Sequence, residues 1–399
     1  MLRTKAVLAL PLAGLIAGWL WAVLPEAVPA SSAAKMQKIE IAQADHEGHR
    51  VEILLNSETL SQATAINALG AMIGSREVAN ADKTILRSVS FFCKADQSAD
   101  MPVPVDFTNV EACAISDNDV VVGYASRPIG HPEGSLRAVV WKPFMEKLEI
   151  LPLPDDDSAS HAQDISADGT RISGYSTGHE RLRPVVWQWR EQTQAWEFTV
   201  LTTHFDYNPY LMSSTLLISP DGQIAAGCCT QAILPDGSID SALLVWRYRD
   251  GLWHPQQLTA EQLYVRGLNN LGQIVGSNLG KKGRQPCYLS PTGELQVLDL
   301  LPGDHSGEAR DINSQGMIVG WSDGPPGPEG GPKACRWNAD GNIQPLRLSA
   351  DPFSMVYAIN DAGQLSGMIT LPSPDEAEKR DGAIEPAGKS LAFRTLPTK

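Results

Sequence analysis

Four ionisable residues stand where a repeated pattern otherwise places small or apolar side chains: Asp164, Arg266, Arg310 and Asp311. The seven equivalent pairs read Thr64-Ala65, Cys113-Ala114, Gln163-Asp164, Leu216-Leu217, Arg266-Gly267, Arg310-Asp311 and Tyr357-Ala358. Each pair immediately precedes the aliphatic residue that opens one copy of the pattern. Two carboxylates and two guanidinium groups at such positions have two uses. Either they pair with one another, or they line a polar ligand site where the copies converge. These four are the candidate ligand-binding residues.

Other groupings are weaker. Gly174-Tyr175-Ser176-Thr177-Gly178 has the spacing of a nucleophile elbow, but that motif works at a strand-to-helix turn, and no helical pattern follows. Asp45-His46-Glu47-Gly48-His49 packs metal-ligand residue types closely, without a further ligand group at defined spacing. Asp155-Asp156-Asp157 lacks the spaced oxygen donors of a Ca²⁺ loop. The eight histidines are scattered, and none recurs in register. No catalytic residue, metal or cofactor is therefore assigned. Cys287 and Cys335 fall at the same strand position of successive copies, and packed sheets lie about 10 Å apart, beyond disulfide reach. The six cysteines are expected to be mostly buried thiols.

The elements that position these residues come from the repeat. Its cleanest copy is Ile312-Asn313-Ser314-Gln315-Gly316 through Gly320; the others begin at Ile66, Ile115, Ile165, Ile218, Leu268 and Ile359. Asn or Ser starts a tight reversal, and the last turn position requires a left-handed conformation. Six copies place Gly there and the seventh Asp119, a residue type that tolerates this region. Each copy is thus a β-hairpin. In the third and fourth copies the second Gly comes one residue later, which predicts a bulge in the second strand.

A third strand follows, often ending in Trp (Trp141, Trp187, Trp246, Trp337), and then a fourth such as Leu295–Leu298. The recurrence of those tryptophans at one strand position marks them as core rather than as a carbohydrate platform. Second glycines lie 44 to 53 residues apart. Four strands per unit at that period is the signature of a propeller blade. The expectation is all-β: a seven-bladed β-propeller of four-stranded antiparallel blades, one domain over residues 38–399. The seventh copy runs out of chain after its third strand. Arg50–Leu55 resembles the missing fourth strand, so an N-terminal strand is predicted to close the last blade. Ser322–Pro332 and Ile369–Lys389 are predicted loops on one face of the ring, the first place to look for a binding surface.

Residues 1–30 read as an export signal: a basic Met1–Lys5, the uncharged apolar run Ala6–Leu24, then small residues offering cleavage sites. The same run is just long enough to serve as an uncleaved anchor, the one predicted membrane contact. The formal net charge of −14 argues against nucleic-acid and anionic-lipid partners, which require a cationic footprint.

The repeats resemble the HAF-type repeats of extracellular proteins, whose unit runs approximately Ala-x-x-Ile-Asn-x-x-Gly-x-Val-Val-Gly and then His-Ala-Phe-x-Trp. Ala309-Arg310-Asp311-Ile312-Asn313 through Gly320 and Ala162 through Gly174 match the first half. The His of the second half is absent throughout, although Leu391-Ala392-Phe393 keeps Ala-Phe. The resemblance implies architecture and export and carries over no activity. The expected function is an exported non-catalytic binding module, secreted or periplasmic and monomeric, with a protein or glycan partner. The alternative is a hydrolase or lyase with a polar site at the central channel.

Overall fold

The computed structural model describes residues 37–396 apart from 47–48, 56–59, 80–85, 129, 132–134, 144, 146, 179–180, 203–214, 234–238, 260–262, 281–282, 326–330, 350–352 and 372–388. The candidate export signal, the tip of the Asp45–His49 segment and most of the two long predicted loops lie outside the described residues.

Seven antiparallel sheets follow one another along the chain, and no helix occurs among the described residues. The chain is a seven-bladed β-propeller. The innermost strands are Ser61–Ile66, Asn109–Ile115, Ala159–Ile165, Leu217–Ile218, Tyr264–Leu268, Ser306–Ile312 and Ser354–Ile359, opening blades 1 to 7 in that order. Each turns back through the Asn/Ser hairpin. The turn glycines Gly70, Gly169, Gly222, Gly272, Gly316 and Gly363 have φ between 69° and 77°, and Asp119 takes their place at 63°.

The second strand of blade 4 does bulge, between Thr230 and Ala232 beyond its repeat glycine, but the late glycine has another cause. In blades 3 and 4 the extra residue sits within the turn: Ile165 pairs with Ile172 and Ile218 with Ala225, where Ile66 of blade 1 pairs with Met72. Among the described residues the register also shifts in the innermost strand, in every blade except the fourth. Ala309 pairs with Gly320 and Asp311 with Val319, leaving Arg310 as the extra residue. The second repeat glycine faces this bulge. A Cβ on Gly320 would lie 2.0 Å from the Glu308 carbonyl oxygen, and one on Gly74 would lie 1.9 Å from that of Gln62. This glycine is required by close approach, not by its φ.

Blades pack through their apolar faces. Trp141, Trp187, Trp246 and Trp337 are fully buried. The indole N–H of Trp187 donates to Pro152 O at 2.6 Å, that of Trp246 to Thr202 O at 2.9 Å, and that of Trp337 to Asp299 O at 2.8 Å. Each of these indoles thus fills the wedge and also ties down the segment arriving from the preceding blade. All six cysteines are free, and all but Cys113 are buried.

The ring closes as predicted. His49–Leu54 pairs antiparallel with the third strand of blade 7, Lys389–Thr395, with Val51, Glu52 and Ile53 opposite Thr395, Arg394 and Phe393. The segment before it divides between the two blades of the seam. Gln37–Lys38 adds to the outer strand of blade 1, whereas Ile41–His46 pairs with His49–Leu54 as a fifth strand of blade 7.

A second closure runs through the hairpin turns. Asn269 Nδ2 donates to Asn313 O at 3.1 Å, Asn313 Nδ2 to Asn360 O at 3.4 Å, Asn360 Nδ2 to Asn67 O at 2.9 Å, and Asn67 Nδ2 to Ser116 O at 3.0 Å. Where Ser replaces Asn the backbone takes over: Asp117 N donates to Ala167 O at 2.9 Å, and Ala167 N to Pro220 O at 2.7 Å. Asp221 N then donates to Asn270 Oδ1 at 2.8 Å, so every neighbouring pair of turns is bonded.

Candidate functional site in the central channel

The bulge decides what the channel shows. In an unbulged strand successive side chains point to opposite faces. Here both residues of each bulged pair line the channel: Thr64 and Ala65, Cys113 and Ala114, Gln163 and Asp164, Arg266 and Gly267, Arg310 and Asp311, Tyr357 and Ala358. They enclose a cavity of about 420 Å³ that extends to the hairpin turns at Ala68, Asp117, Ala167 and Ser314. The cavity therefore reaches the turn face of the ring.

All four candidate residues line this cavity, and they divide into two kinds. Asp164 and Asp311 act as braces. Asp311 accepts its own strand's Ile312 N–H at 2.8 Å with Oδ1, and Ile359 N–H of the next blade at 2.9 Å with Oδ2. Asp164 does the same with Ile165 and Ile218, each at 2.9 Å. Burial pushes the Asp311 carboxyl up to about 7 and that of Asp164 to about 6, against the opposing pull of those N–H groups.

Arg266 and Arg310 belong to a cluster around Glu308, which the repeat pattern did not expose. Glu308 Oε1 accepts Arg266 Nε at 2.9 Å and Arg284 Nη1 at 2.8 Å, while Oε2 accepts Arg310 Nη1 at 3.1 Å. The Glu308 side chain is 3% exposed, against 20% for Arg266 and 24% for Arg310. Burial alone would raise the Glu308 carboxyl; Arg310, Arg266 and Arg284 overcome it and hold it down to about 2. Arg310 also lies over the Tyr357 ring at 5.1 Å. Three guanidinium groups on one carboxylate leave an excess of two positive charges, inside a chain whose net charge is −14.

The wall formed by blades 2 and 3 differs. His161 is stacked between Tyr124 and Tyr175, with centroids at 4.1 and 5.1 Å. Burial lowers the imidazole to about 4, so it is neutral near pH 7. Burial raises the Tyr124 hydroxyl, helped by Glu111, to which it is hydrogen-bonded.

The remaining sequence candidates resolve as structure. Ser176 is buried in the second strand of blade 3, and its hydroxyl donates to Asp157 Oδ2 at 2.5 Å. Asp157 also pairs with Arg183 through Oδ1, so it is turned inward. His46 and His49 are backbone register partners in the Ile41–Leu54 hairpin. No group of three or more metal-ligand side chains occurs among the described residues.

No protein-family model and no curated protein sequence matches the chain. Solved structures do match. An oligogalacturonate lyase solved with manganese aligns at 11% identity and a TM-score of 0.52, over 92% of this chain and 98% of that one. The β-propeller domain of the Trilobed protease from Pyrococcus furiosus, described as having an open velcro topology, aligns at 10% identity and TM-score 0.51, covering 77% and 89%. The acylaminoacyl peptidase of Pyrococcus horikoshii aligns at 8% and 0.52, over 85% of this chain and 53% of that chain. The likeness is one of fold. In contrast to the topology named for the protease domain, the present ring is closed by its N-terminal strand.

Proposed function

We propose that the protein is an exported, non-catalytic binding module whose ligand site is the central channel. The carrying observation is the bonding of Asp164 and Asp311. Both oxygens of each carboxylate are engaged by backbone N–H groups of two adjoining blades. Each oxygen keeps one lone pair, but the carboxylates are tied to the backbone of the wall and not to a nucleophile or imidazole that a hydrolytic set would need. Those two carboxylates hold the channel wall in place, and Arg266 and Arg310 supply the polar contacts. Export is supported by the basic and apolar N-terminus and by the resemblance to extracellular HAF-type repeats; a glycan or protein fragment is the partner class that fits.

A thermal-shift screen against small polar metabolites tests this reading, with product analysis by NMR on each hit. Binding to the native state raises the midpoint in proportion to ln(1 + [L]/Kd). Compounds that stabilise the wild type, lose the effect in Arg266→Gln and emerge chemically unchanged are the expected result. Turnover of a hit would transfer the channel to the hydrolase or lyase alternative. Stabilisation by hits that Arg266→Gln leaves intact would move the site away from the channel.

A further inference from the structure

We infer that the channel selects a small hydroxylated organic carboxylate, bound with its carboxylate against Arg266 and Arg310; this rests on the channel being the ligand site. Three observations converge. Among the described residues, Arg266 spends only Nε on Glu308 and Arg310 only Nη1, so most N–H donors of both guanidinium groups are uncommitted. A carboxylate is the planar acceptor that a guanidinium fork takes in bidentate fashion. The excess positive charge is local to this wall, where Glu308 is already saturated by three arginines. Finally, Arg310 Nε and Thr64 Oγ1 are buried polar atoms of channel-lining residues with no hydrogen-bond partner among the described residues. Such orphans are uncommon and call for a partner.

The rest of the cavity defines the body of the ligand. At about 420 Å³ it is too large for a bare anion and falls in the range of small-molecule sites. Facing the arginines are Thr64, Gln163 and the neutral His161, with Asp164 and Asp311 nearer the turns. Thr64 and Gln163 offer hydroxyl and amide groups, and the lining holds no cation besides the two arginines. A neutral body rich in hydroxyl groups fits it; a second negative charge would approach Asp164 and Asp311.

Isothermal titration of the full-length protein with D-glucuronate, D-glucose and inorganic phosphate tests the inference. Glucuronate is expected to bind one per chain, at least tenfold more tightly than glucose or phosphate. Its affinity should fall at least tenfold in Arg266→Gln, which leaves Arg284 and Arg310 on Glu308. Raising NaCl should weaken the binding of glucuronate and leave any glucose binding unchanged. Ala65→Asp is the second variant. It places in blade 1 the carboxylate that blades 3 and 6 already accommodate, without touching the arginine cluster, and should also weaken glucuronate binding. Absence of glucuronate binding overturns the inference, as does equal affinity in Arg266→Gln. Glucose or phosphate binding as tightly as glucuronate, and weakened alike by Arg266→Gln, overturns the carboxylate class while leaving the channel as a binding site. Glucuronate located by crystallography outside the channel overturns both.

Discussion

Arg394 and Glu52, 342 residues apart, form an ion pair at the seam of the ring, with Arg394 Nη2 2.7 Å and Nε 2.8 Å from Glu52 Oε2. Arg394 is 7% exposed, and its remaining donors reach Gly70 O at 3.0 Å and Ala95 O at 2.8 Å, both in blade 1. One side chain therefore binds the last blade, the N-terminal strand and the first blade together. Removing one partner of a buried pair strands the other charge, typically at about 3–5 kcal/mol. Arg394→Ala is expected to cost that much in urea denaturation, and Glu52→Gln less, because Gln keeps an acceptor. Deleting residues 37–54 should lower the melting midpoint further than either. An unchanged midpoint after the deletion would refute the closure as a source of stability.

Gly320 makes a sharper test of the bulge. Its missing Cβ is the space into which the Glu308 carbonyl projects. Gly320→Ala is expected to destabilise at or above the roughly 1–3 kcal/mol typical of overpacking. It should also disturb Arg266 and Arg310, since both hold Glu308. Gly363→Ala, at a turn position with nothing near the added Cβ, should cost only the strain of its φ of 74°. If the two substitutions cost the same, the close-approach account of the second glycine fails.

Asp311 predicts a pH signature. Burial raises its carboxyl from 3.8 to about 7 in the folded protein. The folded state then holds the proton more tightly than the unfolded chain does. Its contribution is complete below the unfolded value of 3.8 and is lost as pH rises through about 7. Asp311→Asn removes this dependence while sacrificing one of the two accepted N–H bonds. The variant should therefore be less stable than wild type at pH 4, and the deficit should shrink or reverse by pH 8. His161, held neutral by burial, titrates alike in both proteins and cancels in the comparison. Melting midpoints across pH 4–8 would show this as converging curves; parallel curves would remove Asp311 as the source.

The fold was legible because its signals are local and repeated. Asp119 was the one turn without Gly, and it adopts the left-handed φ that the pattern demanded of it. The tryptophans were read as wedge residues from their register alone, and they are fully buried. The late glycine of blades 3 and 4 pointed to a strand bulge because an added residue looks the same in sequence whether it sits in a turn or in a strand. Only pairing separates Ile165–Ile172 from Ile66–Met72. The four candidate residues do converge on one cavity, yet Glu308, which organises two of them, was missed. It lies two positions before Arg310, and the period of a strand would have pointed to it as the next inward side chain. Arg284 carried no comparable signal, since it arrives from the third strand of the neighbouring blade.

The bulge in six innermost strands has a consequence for how this ring can change over time. By turning two consecutive side chains toward the axis, it gives each such blade a pair of channel positions, the second of which in several blades also packs against or bonds to the next blade. Thr64-Ala65 and Arg310-Asp311 occupy the same geometry with unrelated chemistry, one small and neutral, the other doubly charged. Specificity can thus be rewritten pair by pair around the axis, while the glycines, tryptophans and turn asparagines that build the ring stay fixed.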